Sequence, residues 1–124
     1  MANGDIDCEH FRKALIDMAL ESWRFSNVFR SAMSKLSGED YDRYQGRYSW
    51  FRRRLDDIAE SVGVRIVEIH PGEPYDTGIA ATPLNIGDFE ANETLLIEKM
   101  IEPIIMYEGS VIKAGTIMLR RKEE

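Results

Sequence analysis

Two apolar stripes with heptad spacing lie in the first half of the chain, and they limit its possible folds more than any other feature. The first stripe recurs at alternating steps of four and three residues, at Phe11, Leu15, Met18, Ser22, Phe25, Phe29, Ala32 and Leu36. The second uses the same steps, at Tyr44, Tyr48, Phe51, Leu55, Ile58 and Val62. This spacing predicts two helices, each with one narrow face for packing against other helices.

Glycines set the predicted ends of these helices. Residues 8–37 contain neither proline nor glycine, so they predict one long helix that ends where Gly38 serves as its C′ residue. A second helix is predicted from about residue 39 to residue 61, with Gly63 as its stop. The short connection between the two helices predicts a helical hairpin.

From Val64 onward the pattern changes to short apolar and β-branched runs. Strands are predicted at residues 64–69, 79–84, 95–106 and 111–119. Glu108-Gly109 is typical of a two-residue hairpin turn, and Pro103 predicts an edge or a bulge. Gly115 predicts a bulge or a close approach of two backbones. Helices first and strands second predict an α+β fold, with a helical dimerisation region at residues 1–62 and a small β-domain at 63–124.

A hairpin of two long helices buries little surface alone, so the stripes need another partner. One alternative is the chain's own β region. The alternative favoured by the narrow spacing is a second copy, which would complete a dimeric four-helix bundle. The predicted dimer interface consists of Phe11, Leu15, Met18, Phe25, Phe29, Leu36, Tyr44, Tyr48, Phe51, Leu55 and Ile58.

The sequence lacks the residue patterns of common enzymes and metal sites. His10, His70 and Cys8 stand without the partners that catalysis or metal binding needs, so we expect no enzymatic activity, no cofactor and no metal. A net charge of −6 disfavours a nucleic-acid partner, although the arginines between residues 43 and 54 keep that alternative open. No apolar run is long enough to span a membrane and no secretory signal is present, so a cytoplasmic location is expected.

The chain resembles the GrpE family, the nucleotide exchange factors of the DnaK heat-shock chaperone. The resemblance covers about residues 9–120. It is carried by Gly63-Val64, by Gly72-Glu73-Pro74-Tyr75-Asp76, by Glu102-Pro103 and by the hairpin from Glu108 to Leu119. The order and spacing of these short motifs match the family, in which a helical segment ending in Gly-Val precedes a Gly-x-Pro-Phe-Asp-like loop and a β-domain.

The resemblance implies a co-chaperone of the stress response. Family members dimerise through their helices, and their β-domain presses on the nucleotide-binding domain of DnaK and releases ADP. By matched position, Lys113 takes the place of an arginine in the last hairpin, and Glu102 takes a polar position on the preceding strand. With the apolar, kinked edge around Pro103, the candidate partner-binding residues are Glu102, Ile104, Met106, Gly109, Lys113 and Gly115.

The chain also departs from the family pattern. The long N-terminal paired helix is mostly missing, the histidine that usually follows the Phe-Asp loop is replaced near Ala80, and a Lys-Gly-Tyr run becomes Pro103-Ile104-Ile105. These departures indicate a truncated, diverged GrpE-like protein with a dedicated chaperone partner. The alternative is a dimeric adaptor that keeps the fold but does not exchange nucleotide.

Overall fold

The computed structural model describes residues 4–122, and the side chains of residues 8–122. The described residues form two compact units, one that ends at Val64 and one that starts at Arg65. Within the described part of the chain, two helices come first and six strands in two three-stranded sheets follow. The predicted α+β class is therefore confirmed.

The helical unit consists of α1 (Gly4–Met33) and α2 (Gly38–Glu60). The prediction for the end of the first helix was wrong, because α1 ends at Met33 and Gly38, with φ of +63°, begins α2 instead. The hydroxyl of Ser34 donates to the carbonyl of Ser31 at 2.6 Å, a local bond that competes with continuing the helix. Leu36 therefore lies in the connection between the helices. Gly63, with φ of +83°, follows α2 as expected.

The second unit is built from short strands. Their bounds are β1 (Val64–Val67), β2 (Ala81–Pro83), β3 (Leu95–Glu102), β4 (Ile104–Tyr107), β5 (Ser110–Lys113) and β6 (Gly115–Arg121). One sheet has the order β1-β4-β5, and the other has the order β2-β6-β3. The central strand β6 pairs in parallel with β2 and antiparallel with β3.

Each of the two long predicted strands is broken into two, because the backbone changes sheets. Pro103, which has no N–H to donate to a ladder, separates β3 from β4. Ala114 is the single residue between β5 and β6. The predicted turn between β4 and β5 is confirmed: Glu108 and Gly109 have φ of +49° and +86°, as a type I′ hairpin requires.

The core of the β unit lies around β6. Ile97, Ile105, Ile117 and Leu119 are almost completely buried, and β6 alternates buried with half-buried residues as a half-covered strand should. The side chain of Asn85 extends the sheet just after β2. Its amide donates to the carbonyl of Leu119 and its oxygen accepts from the Leu119 N–H, both at 2.9 Å.

An ion pair closes the loop between β2 and β3. The guanidinium of Arg121 donates from Nε to Oε1 of Glu93 at 2.6 Å and lies 5.0 Å from the ring centre of Phe89. The backbone N–H of Glu90 donates to the other carboxylate oxygen at 2.7 Å. The hydrogen bond from Glu90, together with the Arg121 guanidinium, lowers the pKa of Glu93.

Replacing Gly115 with alanine is expected to destabilise the β unit by about 1–3 kcal/mol. A Cβ atom at this position would lie 2.9 Å from the carbonyl oxygen of Glu102 and 3.0 Å from Cγ1 of Ile104, so backbone must move to admit it. Gly87→Ala is the matched control, since a Cβ there meets no atom within 4 Å. Amide hydrogen exchange of β6 measures the loss, and equal protection in the two variants would contradict the prediction.

Candidate protein-interaction surface

The first apolar stripe is largely exposed in the single chain. Phe11, Met18 and Phe25, each seven residues after the one before, have exposed fractions of 75%, 68% and 69%. In the second stripe, Phe51 and Ile58 are 38% and 49% exposed. These large apolar side chains at heptad spacing form a row on one side of the helices, and exposed apolar rows of this kind are typical of surfaces that contact other proteins.

A different face of α1 holds the hairpin together. Ala19, Trp23, Ser26 and Met33 are buried, and Trp23 has no exposed surface. The guanidinium carbon of Arg52 lies 5.9 Å from the centre of the Trp23 ring. Trp23 lies outside the heptad positions of the first stripe. The four buried residues follow one another at steps of four, three and seven positions, and this helical spacing is the sequence signal that indicates a second packing face.

Three predicted dimer-interface residues also make contacts within the hairpin. The rings of Phe29 and Tyr44 meet edge to face, with centroids 6.0 Å apart and planes at 73°. The guanidinium of Arg30 lies 5.7 Å from the Tyr48 ring centre, and Nη1 of Arg52 donates to the Tyr48 hydroxyl at 3.2 Å. These aromatic side chains therefore support the hairpin and also border its exposed face.

A long groove runs between α1 and α2 along that exposed face, and we call it the hairpin groove. It consists of two neighbouring concavities that share Trp50 and Phe51. The first is also lined by Phe25, Ser26, Phe29, Arg47 and Tyr48. The second is also lined by Leu15, Met18, Ala19, Ser22, Arg54, Leu55, Ile58 and Ala59. The groove therefore brings together residues from both predicted stripes, and it adds Trp50, Arg47 and Arg54, which lie outside the strict heptad positions.

The two borders of the hairpin groove carry opposite charges. On the α2 border, Arg47 and Arg54 are exposed and line the groove. On the α1 border, Glu21 is exposed and lies three residues after Met18 and four before Phe25, on the same side of the helix. Glu21 also pairs with Arg24. An exposed pair of this type contributes little, so the Glu21 carboxylate keeps the capacity to bind another cation.

The remaining arginines of α2 do not form one continuous basic strip. Arg52 lies against Trp23 and Tyr48, and Arg43 pairs with Asp40 at 3.1 Å beside the Tyr44 ring. The charge run therefore divides between the hairpin interior and its surface. This arrangement weakens the argument for a nucleic-acid interface, which needs a continuous row of phosphate contacts.

The candidate partner-binding residues of the β unit divide into surface and interior positions. Gly109 and Lys113 are exposed on the β4–β5 hairpin, and Glu102 and Met106 are half-buried. Ile104 and Gly115 are buried, so packing accounts for both of them. Pro103, Ile104 and Ile105 are all buried, so this run forms part of the core of the β unit.

Among the described residues, no group of three or more His, Cys, Asp or Glu side chains is placed to hold a metal ion. Cys8 is exposed near the start of α1. No helix between residues 4 and 122 combines the length and the apolar character that crossing a membrane requires.

Comparisons with known proteins found no match to this chain among family models, curated proteins or solved structures.

Proposed function

We propose that this chain is a GrpE-like co-chaperone, a homodimer that promotes ADP release from a DnaK-type heat-shock chaperone. The observation that carries the proposal is the order of short motifs between residues 63 and 119, which matches the family. The order of elements agrees with it, because a helical unit precedes a β unit whose β4–β5 hairpin has its turn at Glu108-Gly109.

The dimer is proposed to form through the hairpin groove, as a four-helix bundle made of two hairpins. The support is the row of exposed apolar side chains at heptad spacing, which a single hairpin leaves in water. At about 25 cal/mol per Å² of apolar surface, covering this row in both copies stabilises the assembly considerably. The helices would then carry two β units on one stalk.

The exchange mechanism is differential binding to two states of the chaperone. A β unit that binds the open nucleotide cleft more tightly than the closed cleft shifts the population toward the open state, from which ADP leaves faster. On the β4–β5 hairpin, Lys113 is the exposed cation available for such a contact, and Gly109 lies at the exposed tip. Ile104 at the start of β4 and Gly115 just after β5 are buried, and they act from the interior by supporting the two ends of the hairpin.

Stopped-flow release of fluorescent ADP from a DnaK-type chaperone tests the proposal. We expect micromolar dimer to accelerate release at least tenfold. Lys113→Ala should lose much of that acceleration, since truncating a central interface residue typically costs about 1–2 kcal/mol. Lys99→Ala is the matched control, because Lys99 is also an exposed lysine, lies on β3 and was not matched to the family's contact residue.

The second candidate function is an adaptor that binds the chaperone without exchanging its nucleotide. It is favoured by the burial of Pro103, Ile104 and Ile105, since the residues at the Lys-Gly-Tyr position cannot reach a partner. Binding of the chaperone with an unchanged ADP release rate would establish this alternative. If the wild-type dimer neither binds the chaperone nor changes its ADP release, both functions are excluded.

A further inference from the structure

Contacts within the hairpin show which residues of α1 and α2 lie at the same level, that is, at the same position along the helix axes. Trp23 and Arg52 are at one level, because the guanidinium lies 5.9 Å from the ring centre. The helices are antiparallel, so a step toward the start of α1 corresponds to a step toward the end of α2. Glu21 is therefore level with Arg54, and Phe25 is level with Trp50.

These level pairs lie on the two outer borders of the same groove. The side chain of Glu21 is 71% exposed, and Arg54 lines the groove from the opposite helix. Phe25 and Trp50 are 69% and 57% exposed. Each pair therefore combines complementary groups, a carboxylate with a guanidinium and one aromatic ring with another, and leaves both of them exposed in the single chain.

A second copy can cover the hairpin groove by either of two twofold rotations. Rotation about an axis parallel to the helices places α1 of one copy against α2 of the other and preserves every level. Rotation about an axis in the interface and perpendicular to the helices places α1 against α1, and α2 against α2. When the axis crosses the helices near Glu21 and Arg54, that arrangement brings each of these side chains near its own copy, so it opposes like charges.

We propose that two copies pack across the hairpin groove with α1 against α2 of the other copy, so that Glu21 of one meets Arg54 of the other and Phe25 meets Trp50. The charges of the two borders thus select the orientation of the dimer and its register. Because Phe25 and Trp50 are at one level, the four rings of the two copies lie at the same level along the bundle. This inference rests on the proposed homodimer and adds its arrangement.

Disulfide cross-linking between two single-cysteine chains tests the register, in a Cys8→Ser background. Mixing a Glu21→Cys chain with an Arg54→Cys chain should give a cross-linked dimer on mild oxidation. Glu21→Cys mixed with Arg43→Cys is the matched control, because Arg43 lies eleven residues, roughly 16 Å, further along α2 and should not reach. A Glu21→Cys chain that cross-links with itself would instead indicate the α1-against-α1 arrangement and would overturn the proposal.

Charge reversal provides a second test that needs no cysteine. Glu21→Arg and Arg54→Glu should each weaken the homodimer about tenfold, while an equimolar mixture restores wild-type affinity, because every cross-pair in the mixed dimer is complementary. The mass of the wild-type chain in solution distinguishes the proposed register from the proposed four-helix bundle. A dimer without the Glu21–Arg54 cross-link overturns only the register, whereas a wild-type monomer at high concentration overturns the bundle as well.

Discussion

Replacing Trp23 with alanine should destabilise the helical unit by about 3–5 kcal/mol, which is the usual cost of removing a large aromatic side chain from a core. Trp23 has no exposed surface, and the Arg52 guanidinium packs 5.9 Å from its ring centre. The variant leaves a cavity between α1 and α2 and removes the ring on which Arg52 lies. Because a small domain has only about 5–15 kcal/mol of unfolding free energy, this loss is a large share of the total.

Urea denaturation followed by circular dichroism at 222 nm measures this effect, since that signal comes mainly from the helices. Val28→Ala is the control on the same helix, because Val28 is 64% exposed and its truncation should change the unfolding free energy by less than about 0.5 kcal/mol. Similar midpoints for the two variants would show that Trp23 is not the centre of the hairpin.

Phe25→Asp should convert the proposed dimer to a monomer while the hairpin stays folded. Phe25 is 69% exposed in the single chain, so the carboxylate remains in water when the hairpin stands alone. In the bundle the same carboxylate would be buried without a partner, which costs at least about 2 kcal/mol at each of the two symmetric sites. The dissociation constant should therefore rise about a thousandfold.

Sedimentation velocity over a dilution series measures that change. Leu84→Asp is the matched control, because Leu84 is a comparably exposed apolar residue, at 62%, and lies in the β unit. It should leave the dissociation constant unchanged. If Phe25→Asp dimerises as tightly as the wild-type chain, the hairpin groove is not the dimer interface.

Local chemistry was sufficient to predict much of the β unit from the sequence. The turn at Glu108-Gly109 and the crowding at Gly115 follow from residues that adopt special backbone geometry or lack a side chain. The break at Pro103 follows from its missing N–H. What the sequence could not show is that each long apolar run divides between two sheets, because strand pairing depends on residues far apart in the chain.

The helical unit likewise has features that the sequence predicts and a feature that depends on the tertiary structure. Heptad spacing alone located the apolar stripes, since the period of a helix places Phe11, Met18 and Phe25 on one side of it. The sequence also determined the α+β class and the stop at Gly63, through periodicity and glycine geometry. Only the tertiary structure decided that Trp23, and not the stripe, forms the centre of the hairpin. The reason is that several faces of a helix can be apolar, and the position of α2 selects the one that becomes buried, leaving the stripe exposed.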